Sequence, residues 1–222
     1  KRMRYVRYAD DFIIGIIGSK EETRQLNEEI KTWLQKELKL KLSSEKHKIT
    51  HNTEKIRFLG YDIIVVKNSQ KKEENGNIRF SVPYDVMTNF IIKNRYGKWW
   101  NNPKSGKDEL KGICRPELMN LDEFEILIQY NWKIRGLYNY YCLAENVYKL
   151  NGYSHIIQMS FLRTLAGKYK TSCSKLFKNY NYSRRSNGKT IVGITYKGKF
   201  YQYFDGPFKK RANSTCVDNI PN

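Results

Sequence analysis

The stretch "RYVRYADDFIIG", Arg4 to Gly15, decides how the chain is read. Arg4 to Tyr8 and Phe12 to Ile17 are rich in aromatic and β-branched residues, the composition of strands. Ala9, Asp10 and Asp11 lie between them, so the stretch predicts a hairpin with two adjacent carboxylates at its tip. Two carboxylates about 4 Å apart repel, and one keeps its proton unless a cation sits between them. A divalent ion that seeks hard oxygen ligands removes that conflict. In nucleotidyl transfer two such ions, about 3.5–4 Å apart, activate the attacking hydroxyl and stabilise the leaving group. The plainer reading is a solvated Asp-Asp turn. Strong strand formers on both sides, in a chain that is otherwise basic, weigh against it.

The charge balance gives the setting. Lys and Arg number 41 against 22 Asp and Glu, a net +19 over 222 residues. An excess of that size points to a polyanion, RNA or DNA before an anionic membrane. The length suits one large domain or two small ones. No run of 18 apolar residues is present, so no transmembrane helix is expected. The first residues lack the pattern of a signal peptide, and the first is Lys, so the chain reads as a fragment or a processed piece. Cys114, Cys142, Cys173 and Cys216 are scattered without a C-x-x-C pair. They suggest reduced thiols rather than a zinc site or a disulfide framework.

Past the hairpin, Ser19 and Glu22 form a capping box, and Leu26, Ile30, Trp33, Leu34 and Leu38 recur at helical spacing. This helix is expected to lay its apolar face on the hairpin sheet. Ile56 to Leu59 and Tyr61 to Val66 are strand-like around Gly60, and Ile78 to Val82 is their expected partner after a polar loop, Lys67 to Asn77. Pro83 opens a helix containing Val86, Phe90 and Ile91. Asn101 to Lys111 reads as a polar loop. Asp122 caps a long helix through Tyr141, and another helix is expected from about Ser154 to Lys170. A hairpin turning at Lys197-Gly198 follows, and 212–222 reads as a frayed tail.

From Arg163 to Arg211 there are 13 Lys and Arg against one acid, Asp205. So many cations have no place in a core. Tyr169, Phe177, Tyr180, Tyr182, Tyr196, Phe200, Tyr201 and Tyr203 are interleaved with them. Cations hold phosphates and flat rings stack on unpaired bases. Core packing or cross-strand pairing is an equal claim on these rings.

At this point the chain resembles a known family. "YADD", Tyr8 to Asp11, resembles the catalytic hairpin of reverse transcriptases. "GSKEETRQLNEEIKTWLQKELKLKLSSEKHKITH", Gly18 to His51, and "IRFLGYDI", Ile56 to Ile63, resemble the palm segments that follow it, the second being the primer grip. "YNWKIRGLYNYYCLAEN", Tyr130 to Asn146, and "SFLRTLAGKYKTSCSKL", Ser160 to Leu176, resemble the maturase part, domain X, of proteins encoded by group II introns. The resemblance covers the chain to about Arg211. YADD alone is moderately specific; together with FLGY and the RG-x-x-NYY run it is strongly so.

The resemblance implies roles position by position. Asp10 and Asp11 stand as ligands for Mg2+, with Mn2+ as an alternative, and Tyr8 and Ala9 lie beside the template–primer duplex. Lys46 matches a lysine that meets the pyrophosphate, as a general acid; an ordinary exposed lysine is the alternative. His47 stands where the family often has Thr. Phe58, Leu59 and Gly60 match the primer grip, Phe58 and Leu59 serving as core as well. Arg135, Gly136, Asn139, Tyr140 and Tyr141 match the domain X run, of which Leu137 and Tyr141 read as helix packing. Arg135, Tyr140, Arg163, Lys168, Lys170 and Lys175 are the candidates for intron RNA, Arg163 and Lys170 sharing one helix face. The fingers, and the palm segment that supplies a third metal-binding aspartate, would lie before Lys1, so this piece alone is expected not to polymerise. No Cys-pair/His nuclease signature follows domain X.

The expected fold class is α+β: part of a reverse-transcriptase palm, antiparallel strands plus a helix, then a mainly helical thumb and domain X with a small β-hairpin. The expected divisions are 1–82 for the palm, 83–150 for the thumb, 151–211 for domain X and 212–222 for the tail. The implied partners are group II intron RNA, an RNA template with a DNA primer, dNTP and a DNA target site, with no membrane, in a bacterial cytoplasm or an organellar matrix. A non-catalytic RNA-binding splicing module is the alternative. A retron or diversity-generating reverse transcriptase is a third reading, opposed by the RG-x-x-NYY run.

Overall fold

A computed structural model describes residues 2–43, 47–67, 70–179 and 181–211. The chain divides into two compact units, Lys1–Phe80 and Ser81–Asn222. Lys46, Tyr180, Cys216 and the expected tail 212–222 lie outside the described residues.

In the first unit, β1 (Arg2–Tyr8) and β2 (Asp11–Ile17) pair antiparallel from Arg2↔Ile17 to Tyr8↔Asp11. Helix α1 (Lys20–Glu37) starts on the expected capping box: Ser19 Oγ accepts from the Glu22 amide at 3.2 Å, and the Ser19 amide donates to Glu22 Oε2 at 2.8 Å. The expected packing of α1 on the hairpin does not form a core. No residue of α1 is buried, and Met3, Tyr5, Val6, Tyr8 and Ile17 are all more than half exposed. The reason lies in the strands. "FIIGII" is apolar on both faces, whereas a single helix covers one, and a two-stranded sheet buries little surface by itself. The unit continues through β3 (Ile56–Phe58), β4 (Tyr61–Val65) and the expected return strand β5 (Ile78–Ser81), in the order β3-β4-β5.

The second unit holds every buried hydrophobic side chain among the described residues, from Val82 to Phe208. Helix α2 (Tyr84–Lys93) follows Pro83 as expected. The segment expected as a loop, Asn101 to Lys111, is one only between Asn101 and Asp108; its ends belong to an arm of two antiparallel strands, β6 (Gly97–Asn101) and β7 (Asp108–Gly112). Its polar composition hides it; the root is fixed by tertiary contact. Gly97 and Gly112 are buried there, and a Cβ on Gly112 would lie 2.4 Å from the Ile156 carbonyl oxygen. Helices α3 (Glu123–Tyr141) and α4 (Leu150–Lys168) pack through Tyr130, whose hydroxyl meets Ser160 Oγ at 3.0 Å and Thr164 Oγ1 at 3.2 Å. Asp122 caps α3 as expected, its Oδ1 accepting from the Phe124 amide at 2.8 Å.

Helix α5 (Cys173–Lys178) leads to a sheet ordered β10-β9-β8, made of β8 (Ser183–Ser186), β9 (Lys189–Tyr196) and β10 (Lys199–Gln202). The expected turn at Lys197-Gly198 is there, and a second turn at Asn187-Gly188 adds the unforeseen β8. Both turns have positive φ at both central residues, the conformation that matches strand twist. Residues 83–150 and 151–211, expected as separate parts, share one core: the Tyr130 ring meets Phe161 edge-on at 5.4 Å, and Tyr138 donates to the Lys209 carbonyl at 2.9 Å. Val82, expected at the end of the palm, joins the second unit, where Asn146 exchanges two hydrogen bonds with its backbone. The fold class is α+β with antiparallel pairing, as expected. Among the described residues no helix is long and apolar enough to cross a membrane.

Candidate active site and nucleic-acid interface

The β1–β2 turn consists of two residues, Ala9 and Asp10, with Tyr8 and Asp11 paired behind it. Ala9 is held at φ +52, and Arg7 Nε donates to its carbonyl oxygen at 2.6 Å. The turn leaves Asp10 at the tip and makes Asp11 the first residue of β2, both exposed. Adjacent exposed carboxylates offer only oxygen donors, the set that hard cations prefer. Among the described residues no group of three or more His, Cys, Asp or Glu is placed to hold a metal. Two carboxylates fit Mg2+ in its usual mode, bound through one or two acids while water and substrate phosphates complete the shell. Tyr8 is exposed beside the acids.

Phe58 and Tyr61 close a second two-residue turn, with Leu59 at φ +48 and Gly60 at φ +73. This conformation asks for glycine, so Gly60 has a structural reason as well as the one implied by resemblance. Phe58, Leu59 and Gly60 are half-buried. Across the strands, Arg57 Nε and Asp62 Oδ1 pair at 2.6 Å, beside the edge-on contact of Tyr61 with Phe80.

The cations of the second unit sort into two kinds. Arg163, itself exposed, donates from Nη1 to the Gly112 carbonyl at 2.7 Å, and the half-buried Lys168 donates from Nζ to the Met119 and Leu121 carbonyls at 2.7 and 2.9 Å. Both tie α4 to the segment before α3. Lys170 and Lys175 are exposed. Lys170 lies beyond the end of α4 at φ +49, so it does not share a helix face with Arg163. Arg135 is exposed on α3, with its guanidinium 4.4 Å from the Phe204 ring. Tyr140, on the same helix, is 54% exposed with its ring edge against Tyr141.

Most rings of the basic segment serve packing. Tyr203 is buried and donates to the Ser154 carbonyl at 3.2 Å, while Tyr196 stacks on Phe124 at 4.7 Å. Tyr201 meets Phe124 edge-on at 4.6 Å, and the Arg184 guanidinium lies 4.3 Å from Phe200. Tyr169 and Tyr182 share Glu123 as acceptor. Exposed rings outside this segment include Trp132 on α3, and Trp99 and Trp100 on the β6–β7 arm. Reading the sequence misses these three. The signal available for the arm is two adjacent tryptophans preceded by Lys98, in a stretch otherwise polar.

Comparison with known proteins gives two family matches. Residues 75–215 match the type II intron maturase family, and residues 1–63 match the reverse transcriptase (RNA-dependent DNA polymerase) family. The chain is similar to the group II intron-encoded protein LtrA of Lactococcus lactis subsp. cremoris: 35% identity over 222 aligned residues, covering 92% of this chain and 34% of that protein. The COX1/OXI3 intron 1 protein of Saccharomyces cerevisiae is 31% identical over 212 residues, 87% of this chain and 25% of that protein. Protein YkfC of Escherichia coli is 34% identical over 88 residues, 39% of this chain and 22% of that protein. The chain spans about a third or less of the length of these relatives.

Proposed function

Because the chain belongs to the type II intron maturase family, we propose that it supplies the end of the palm, the thumb and domain X of a reverse transcriptase and maturase encoded by a group II intron. The observation that carries this reading is the two-residue turn that leaves Asp10 and Asp11 together and exposed at the tip of a paired hairpin. Asp10 and Asp11 hold Mg2+, or Mn2+, which supplies activation of the primer hydroxyl and stabilisation of the charge that develops on phosphate. Tyr8 and Ala9 border the RNA template and DNA primer, and the turn of Phe58, Leu59 and Gly60 supports the primer end. Lys46 gives its proton to the pyrophosphate released from dNTP. Arg135, Tyr140, Lys170 and Lys175 meet intron RNA, with Arg163 and Lys168 holding the scaffold behind them. The divisions follow as 1–82 palm, 83–150 thumb and 151–211 domain X, and the DNA target site is a further partner in intron mobility.

The test is Asp10→Asn combined with Asp11→Asn in the full-length protein. DNA synthesis is expected to vanish while binding of intron RNA stays within about twofold, since the acids face metal and not RNA phosphates. Polymerisation that survives the double change overturns the metal assignment. A second reading, an RNA-binding splicing module that needs no polymerase chemistry, draws on the location in Ser81–Asn222 of every buried hydrophobic side chain among the described residues. DNA synthesis by the wild-type full-length protein separates the two, since the second reading expects none. Splicing at low Mg2+ that the double variant retains assigns splicing to parts of the protein other than these two acids.

A further inference from the structure

The β6–β7 arm carries exposed side chains that the maturase and polymerase assignments do not use. Its root is held firmly: Gly97 and Gly112 are buried, Arg163 Nη1 donates to the Gly112 carbonyl at 2.7 Å, and the Ile113 amide donates to the Tyr96 carbonyl at 2.9 Å. Beyond the root, Lys98, Trp99, Trp100 and Asn101 are all exposed. An isolated two-stranded ribbon is marginal in water, and this one carries two indoles into solvent, which its own folding does not require.

The register places cations where packing alone would not. Lys98 is directly opposite Lys111, and Trp100 is directly opposite Glu109. Side chains two apart on a strand share a face, so Lys98, Trp100, Glu109 and Lys111 lie on one side of the arm. Like charges opposite each other in an antiparallel pair destabilise it. The Lys111 ammonium lies 3.2 Å from the centre of the Trp100 ring and 3.9 Å from Glu109 Oε2. Glu109 also accepts from Asn102 Nδ2 at 2.7 Å, and Asp108 accepts from Asn101 Nδ2 at 3.1 Å, so both acids of the arm are engaged within it. Lys104 and Lys107 add two more cations in the connecting loop.

We propose that the β6–β7 arm is a separate nucleic-acid contact that takes an unpaired strand, with phosphate at the facing pair Lys98 and Lys111 and a base on the Trp100 indole. A phosphate between the two ammonium groups removes their repulsion. It also draws Lys111 off the ring, and the base that replaces it stacks more strongly than an exposed cation does. An unpaired strand fits better than a duplex, because the bases of an A-form helix are already stacked and its major groove is too narrow for side chains. The proposal rests on the nucleic-acid reading above only for the class of partner. Its site shares no residue with Asp10, Asp11 or the domain X cations, apart from the support that Arg163 gives to the root.

The test uses the 222-residue chain with oligo(U) of about 12 nucleotides, a length within the range that single-strand sites cover. An RNA duplex of about 16 base pairs and anionic phosphatidylserine vesicles serve as comparisons. Trp100→Ala is expected to weaken oligo(U) binding roughly tenfold and to leave duplex binding within about twofold. Lys98→Glu is expected to weaken oligo(U) binding and lower its salt slope by about one contact. Its Tm should hold or rise, because the facing pair becomes one of opposite charge. A wild-type chain that binds neither RNA overturns this proposal and the RNA reading together. Wild-type binding that both variants leave unchanged overturns the arm alone. Equal losses on duplex and oligo(U) overturn the unpaired strand, and a Trp100→Ala loss seen only with vesicles overturns nucleic acid in favour of a membrane surface.

Discussion

Gly136 and Gly60 respond oppositely to the same substitution, and backbone conformation decides the sign. Gly136 sits in the middle of α3, and a Cβ built on it meets nothing within 4 Å. Alanine there gains helix propensity, so Gly136→Ala is expected to stabilise the fold by about 1 kcal/mol in denaturant unfolding. Gly60 is held at φ +73, where a Cβ collides with the backbone. Gly60→Ala is expected to destabilise by about 1 kcal/mol, seen as an earlier transition of the first unit. At this scale the sequence is a partial guide. The RG-x-x-NYY run marks Gly136 and FLGY marks Gly60, yet only the dihedral angles tell which glycine the fold itself requires.

The end of α4 separates cations that hold the scaffold from cations open to a ligand. Lys168 is committed to two backbone carbonyls, whereas Lys170 and Lys175 are exposed. Lys168→Met is expected to cost about 2 kcal/mol, the scale of lost hydrogen bonds from a charged donor. Lys170→Met with Lys175→Met is expected to leave Tm within a degree or two while lowering RNA affinity and its salt dependence. Thermal melts alongside RNA titrations distinguish the sets, and a stable Lys168→Met with weakened RNA binding would reverse the assignment. Charge density in the sequence singles out the whole basic segment. It cannot sort its members, because the carbonyls that Lys168 reaches belong to residues 47 and 49 positions away.

The second unit as a whole is built on buried tyrosines, and that sets its tolerance of alkali. Tyr96, 1% exposed, is pushed up to about 12, chiefly by burial; burial also raises Tyr130 and Tyr203. Below about pH 10 folded and unfolded chains both keep these protons. Above it the unfolded chain releases them first, so stability falls by about 1.4 kcal/mol per pH unit for each such tyrosine. The unit is expected to unfold cooperatively as pH rises past 10, with a step in tyrosinate absorbance from the buried set accompanying the loss of helix. Loss of helix without that step would contradict this burial. The sequence by itself determined the strands around YADD, the Ser19 and Asp122 caps, the bend at Gly60, the Lys197-Gly198 turn and the family, because these depend on neighbours in the chain. Tertiary structure alone decided that α1 buries no residue, that "GKWWN" and "DELKG" form an arm, and that most rings of the basic segment face protein. Those outcomes depend on partners tens of residues distant, and no local pattern encodes such contacts.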